Sequence, residues 1–71
     1  MTDNRDLSRR ERQIMDIIYR MHKASAKEVM TELEDAPSYS SVRTLLGKLV
    51  EKGHLAYRES GLKYVYYPLV G

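Results

Sequence analysis

Three serines, Ser8, Ser25 and Ser38, each stand just ahead of a stretch whose apolar residues recur at helical spacing. After Ser8 the stripe is Ile14, Ile17, Ile18 and Met21, with Leu7 placed to act as a staple in front of the cap. After Ser25 it is Ala26, Val29, Met30 and Leu33, and after Ser38 it is Val42, Leu45, Leu46 and Leu49. A serine oxygen that accepts from a free N–H of the first turn is a strong helix start. The spacing therefore predicts one helix from about Arg9 to His22, a short second one ending near Glu34, and a third behind Ser38. Asp35, Ala36 and Pro37 break the second, because proline disfavours helix at the residue before it. Gly53, following Lys52, is well placed to end the third.

Beyond Gly53 the period changes from helical to alternating. The runs HLAYRE and LKYVYYPL are rich in aromatic and β-branched residues, and Ser60-Gly61 between them has turn chemistry. They predict a β-hairpin with Leu55, Tyr64 and Tyr66 turned towards the helices, ended at an edge by Pro68. The chain is mainly α with a small β-hairpin. That element order is a winged helix-turn-helix, three helices plus a two- or three-stranded wing, in one domain over residues 1–71 with residues 1–6 as a tail.

A chain of 71 residues is near the lower limit for folding alone, and with no cysteine it has neither a disulfide nor a thiolate metal site. The polar N-terminus has no signal-peptide pattern, and no apolar run approaches the roughly 20 residues of a membrane span. A soluble, cytoplasmic protein is expected. The net charge of +2 is small but unevenly spread. Residues 1–35 carry seven basic and eight acidic side chains, whereas residues 36–71 carry five basic and only two acidic. A basic C-terminal half points modestly towards a polyanion.

Catalytic constellations are missing from the sequence: there is no cysteine nucleophile, glycine-rich phosphate loop or H-x-x-x-H pair. His22 and His54 each stand at a helix end, where imidazole commonly meets free carbonyls. Glu28, Glu32, Glu34 and Asp35 lack the ligand alternation and glycine of a calcium loop, so they read as a solvated face. No enzyme activity, cofactor or metal is expected.

The third helix is the informative one. Ser8 and Ser25 are each followed three residues later by glutamate, Glu11 and Glu28, forming the S-x-x-E capping box. After Ser38 the corresponding residue is Ser41, and no acid occurs until Glu51. The polar face holds Ser40, Arg43, Thr44, Gly47 and Lys48. In a helix-turn-helix the second helix of the pair enters the major groove, N-terminal residues foremost. A carboxylate there would repel phosphate. Arginine can bind guanine bidentately, and a threonine methyl can touch that of thymine. Gly47 costs about 1 kcal/mol relative to alanine in a helix interior, a cost that close approach to another backbone would explain, as could internal packing. Arg58 and Lys63 put a cation on each strand of the wing, suited to phosphates or the minor groove, or simply to edge protection. Tyr57, Tyr64, Tyr66 and Tyr67 fit core and wing packing better than stacking on single-stranded bases.

The run YSSVRTLLGKLVEKGHL, followed by Gly61, Tyr64, Tyr66, Tyr67 and Pro68 and preceded by Ser8, Glu11, Ile14 and Met15, resembles the N-terminal domain of the penicillinase-repressor family. These are bacterial winged-helix repressors of β-lactamase and methicillin-resistance genes, with copper-responsive relatives. The resemblance covers about Leu7 to Leu69. It implies a transcriptional repressor that binds double-stranded DNA at an inverted-repeat operator as a homodimer. On the matching positions it implies contacts from Ser38 to Ser41, Arg43 and Thr44 and from the wing. Base reading is accordingly expected from Tyr39, Ser40, Arg43 and Thr44, and backbone contact from Ser38, Ser41, Lys48, Arg58 and Lys63. Family members continue into a C-terminal helical segment for dimerisation and sensor-protease cleavage. Residues 1–71 contain no such segment and no Cys-rich copper tail, so weak dimerisation is expected. The alternative is a winged helix serving as a protein-interaction module.

Overall fold

The computed structural model describes residues 7–35 and 37–69, and the expected tail at residues 1–6 lies outside them. Helix α1 spans Arg9–Met21, strand β1 Ala24–Ser25, α2 Ala26–Glu32, α3 Tyr39–Glu51, β2 Leu55–Ser60 and β3 Lys63–Pro68. Each helix starts where its serine predicts. Ser8 Oγ accepts from the Glu11 N–H at 3.1 Å, while Glu11 Oε1 accepts from the Ser8 N–H at 2.7 Å. Ser25 and Glu28 repeat the exchange at 3.2 and 2.8 Å. Ser38 Oγ accepts from the Ser41 N–H at 3.2 Å and donates to Ser41 Oγ at 3.1 Å. No acid stands in that first turn.

The helix ends are sharper than the sequence suggested. α1 stops at Met21, because His22 adopts a left-handed conformation with φ 73°. α2 stops at Glu32, two residues before the expected end, and the Leu33 N–H turns back to the carbonyls of Val29 and Met30. At the end of α3, Gly53 has φ 84° and its N–H donates to the Val50 carbonyl, while the His54 N–H donates to that of Leu49. That pair of bonds is a Schellman motif, which needs a residue tolerant of positive φ where Gly53 stands.

The sheet has the order β1-β3-β2 and is antiparallel throughout. β1 is the added third strand: Ala24 pairs with Tyr66 and Ser25 with Val65. Ser25 thus closes β1 and caps α2 at once. In the hairpin Tyr57 pairs with Tyr66 and Glu59 with Tyr64.

All three helical stripes meet one core. Ile14 and Ile18 from α1, Val29 from α2, Val42, Leu46 and Leu49 from α3, and Leu55 from β2 are fully enclosed. Leu7 packs into the same core ahead of its cap. Tyr66 is buried as expected, but Tyr64 is not and stays 37% exposed. Both residues lie on one sheet face, yet Tyr64 stands two residues nearer the hairpin tip, where it faces an open groove beside α2 and α3. Its ring instead packs on Tyr57, centroids 5.0 Å apart.

Among the described residues Glu11 is the one charged side chain inside this core, only 3% exposed. Besides Ser8, it accepts from Lys52 Nζ at 3.1 and 3.3 Å, tying the start of α1 to the end of α3. Lys52 also stands at the negative end of the α3 dipole, where a cation is favoured. Arg20 and Glu32 also bridge α1 to α2 at 2.8 Å, but both are exposed and such pairs contribute little. Among the described residues no helix is long and apolar enough to cross a membrane.

Candidate nucleic-acid interface

Burying Val42, Leu46 and Leu49 fixes which side of α3 faces outward. That side carries Tyr39, Ser40, Arg43, Thr44, Gly47 and Lys48, all exposed, and Ser38 and Ser41 are exposed at its start. The four base-reading candidates therefore share one surface with three of the backbone candidates. A side chain added at Gly47 would meet no atom of the protein within 4 Å. Internal packing consequently does not account for the glycine.

Beside this surface runs an open groove, walled by α2, the start of α3 and the hairpin. Tyr39 and Arg43 line it from α3, Lys27 from α2, and Lys63 and Tyr64 from β3. Arg43 reaches the buried Tyr66 at its floor. Burial pushes the Tyr66 hydroxyl above its ordinary pKa of 10.0, and the neighbouring Arg43 guanidinium pulls partly against that. Tyr66 as a neighbour of Arg43 was not legible in sequence, since it depends on α3 packing across β3.

The wing cations divide. Lys63 stands on the groove side, close enough to Glu28 to help hold its carboxyl below the ordinary 4.5, after the larger effect of the Ser25 N–H bond. Arg58 pairs with Val65, on the sheet face opposite Tyr57 and Tyr66, and lies 5.9 Å over the Tyr67 ring. By the same alternation Lys63 shares that sheet face with Arg58, but at the hairpin end it also reaches the groove beside Glu28 of α2. Among the described residues no group of three or more histidines, cysteines, aspartates or glutamates is arranged to hold a metal.

The chain matches the family described as penicillinase repressor over residues 7–71. In structure it is similar to the DNA-binding domain of the repressor BlaI solved in solution, with a TM-score of 0.82 and 27% identity, covering 100% of this chain and 89% of that one. It is also similar to the CopR repressor, at 0.77 and 34%, covering 93% and 99%. A solution structure of the Bacillus licheniformis BlaI monomeric form in complex with the blaP half-operator matches at 0.77 and 27%, covering 100% and 89%. No curated protein matches. With a family match across nearly its whole length and the winged-helix architecture of these repressors, the chain belongs to the penicillinase repressor family.

Proposed function

We propose that this repressor domain binds duplex DNA sequence-specifically, with α3 in the major groove and the hairpin wing over the adjacent backbone or minor groove. The observation that carries the reading is the exposed face of α3, which has donors and small groups but no carboxylate in its first turn. Arg43, Thr44, Ser40 and Tyr39 read base edges. Ser38, Ser41, Lys48 and Lys63 hold phosphates, and Arg58 reaches the backbone from the outer face of the wing. The complex of the BlaI monomeric form with a half-operator supports one half-site per copy, hence a homodimer on an inverted repeat. The domain works in the cytoplasm, where bacterial DNA is.

Titration of the protein against duplexes selected from a random pool, at two salt concentrations, tests this. The expected result is a selected sequence bound far more tightly than random DNA. Weak, featureless binding to every duplex would instead favour a protein-interaction module. Lys63→Ala should weaken selected and random duplexes alike and reduce the slope of log affinity against log salt by about 1. An unchanged slope would remove Lys63 from the phosphate contacts.

Gly47→Ala separates folding from binding. Since the added methyl meets nothing within the protein, the helix gains about 1 kcal/mol and the melting temperature rises by roughly 4–8 °C. Affinity for the selected duplex should nonetheless fall, because the methyl enters the space the DNA occupies. A variant that is more stable and binds equally well would show that α3 does not approach DNA at this point.

A further inference from the structure

Leu62 is the most exposed large apolar side chain of the described residues, with a relative exposure of 108%. A lone exposed leucine is ordinary. This one occupies the hairpin tip, beside Lys63. Gly61 has φ 68° and Leu62 a negative φ, the pattern of a type II′ turn, which asks for glycine first and gains nothing from a leucine second. Nor is Leu62 isolated. Of the six large apolar or aromatic side chains left exposed among the described residues, Tyr39, Leu62 and Tyr64 line the groove, and Tyr57 packs against Tyr64. The tilted Tyr57 and Tyr64 rings pack on each other across the strands behind the tip.

Resting on the reading of α3 as the major-groove helix, we propose that Leu62 enters the neighbouring minor groove and makes the wing a sensor of the DNA flanking the half-site. Its reach fits. Tyr66 lies beside Arg43, and four residues of strand separate it from Leu62, about 13 Å at roughly 3.3 Å per residue. Centres of adjacent major and minor grooves lie about 17 Å apart, half of a ~34 Å helical turn, and the leucine side chain extends the strand towards that distance. Cations are at hand for the intervening phosphates as well: Lys27, Arg43 and Lys63 line the groove between α3 and the wing and outnumber its two carboxylates, Glu28 and Glu59. An apolar side chain in the minor groove packs on sugars and base-pair edges. It prefers steps that widen or unstack readily, so it discriminates by deformability rather than by hydrogen bonds.

The test is parallel selection from a pool randomised both in the core recognised by α3 and in its flanks. The wild-type protein, Leu62→Asn and Leu62→Met are selected side by side, and thermal melting checks that all three fold alike. Asparagine suits the turn but removes the apolar wedge, whereas methionine keeps it. The wild type and Leu62→Met should select flexible or A·T-rich flanking steps. Leu62→Asn should lose that flank preference and about tenfold in affinity for the selected duplex, with its core preference intact. Retention of the wild-type flank preference by Leu62→Asn would overturn the inference. So would an equal loss on every sequence, which would make Leu62 a backbone contact only. A wild-type protein that selects a core but no flank defeats the role of Leu62 alone, whereas one that selects no core defeats base reading by α3 as well.

Discussion

Glu11→Ala is expected to destabilise the domain by about 2–3 kcal/mol, since hydrogen bonds to charged groups contribute roughly 1.5–3 kcal/mol each and lost caps about 1. For a domain this size that is a fall of roughly 10–20 °C in melting temperature. One carboxylate accepts from the Ser8 N–H and from Lys52 Nζ, so a single change loosens both the start of α1 and its tie to the end of α3. Lys52 is partly exposed and can turn to solvent, which holds the effect below the 3–5 kcal/mol of a fully buried pair. Glu11→Gln keeps an acceptor for the Ser8 N–H and should cost less. If alanine proved as stable as wild type, the Glu11 linkage would not hold the fold together.

The same residue sets a dependence on pH. Burial alone pushes the Glu11 carboxyl up, but the Ser8 bond and the Lys52 ammonium outweigh it and leave the group below its ordinary 4.5. A carboxyl depressed in the folded state stabilises fully above its unfolded value, and that contribution is lost as pH falls through the folded value. Glu28 is lowered in the same direction. Stability should therefore decline below about pH 4.5, and Glu11→Gln should decline less steeply over that range. Parallel acid limbs for the two proteins would contradict this assignment.

Arg43→Ala carries the second large effect, on recognition and not on folding. Arg43 is exposed on α3 and meets the core only at the Tyr66 hydroxyl, so its removal leaves the apolar packing in place. A guanidinium at that position can bind guanine through two parallel bonds, and losing such a pair costs about 1–3 kcal/mol at one base step. Arg43→Lys should recover little of that, because an ammonium is a point charge without the planar fork. A lysine variant that selected the wild-type base would show that charge alone is needed there.

Much of the fold was legible because its signals are local. Ser8, Ser25 and Ser38 marked the helix starts, Gly53 the end of α3 and Gly61 the hairpin turn, which lies one residue later than Ser60-Gly61, at Gly61-Leu62. β1 was not legible: two residues show no alternation, and Ala24–Ser25 becomes a strand only by pairing with Val65 and Tyr66 some forty residues away. Tyr64 was placed inward because alternation sets the face of a residue but not how closely the helices pack against it, and at Tyr64 they leave an open groove. For the interface, the periodicity of α3 was enough to gather Ser40, Arg43, Thr44, Gly47 and Lys48. What it could not supply is contact across elements: Tyr66 beneath Arg43, Lys52 on Glu11, Lys63 beside Glu28. Each depends on how separate segments pack, which no local pattern encodes.

The most direct test of base reading by α3 is a titration of wild type and Arg43→Ala against the selected duplex and a random one, at matched salt. The account predicts that the variant loses roughly 5- to 150-fold on the selected duplex beyond any loss on random DNA. Equal losses on both would contradict it, making Arg43 a phosphate contact and leaving α3 without its principal reader.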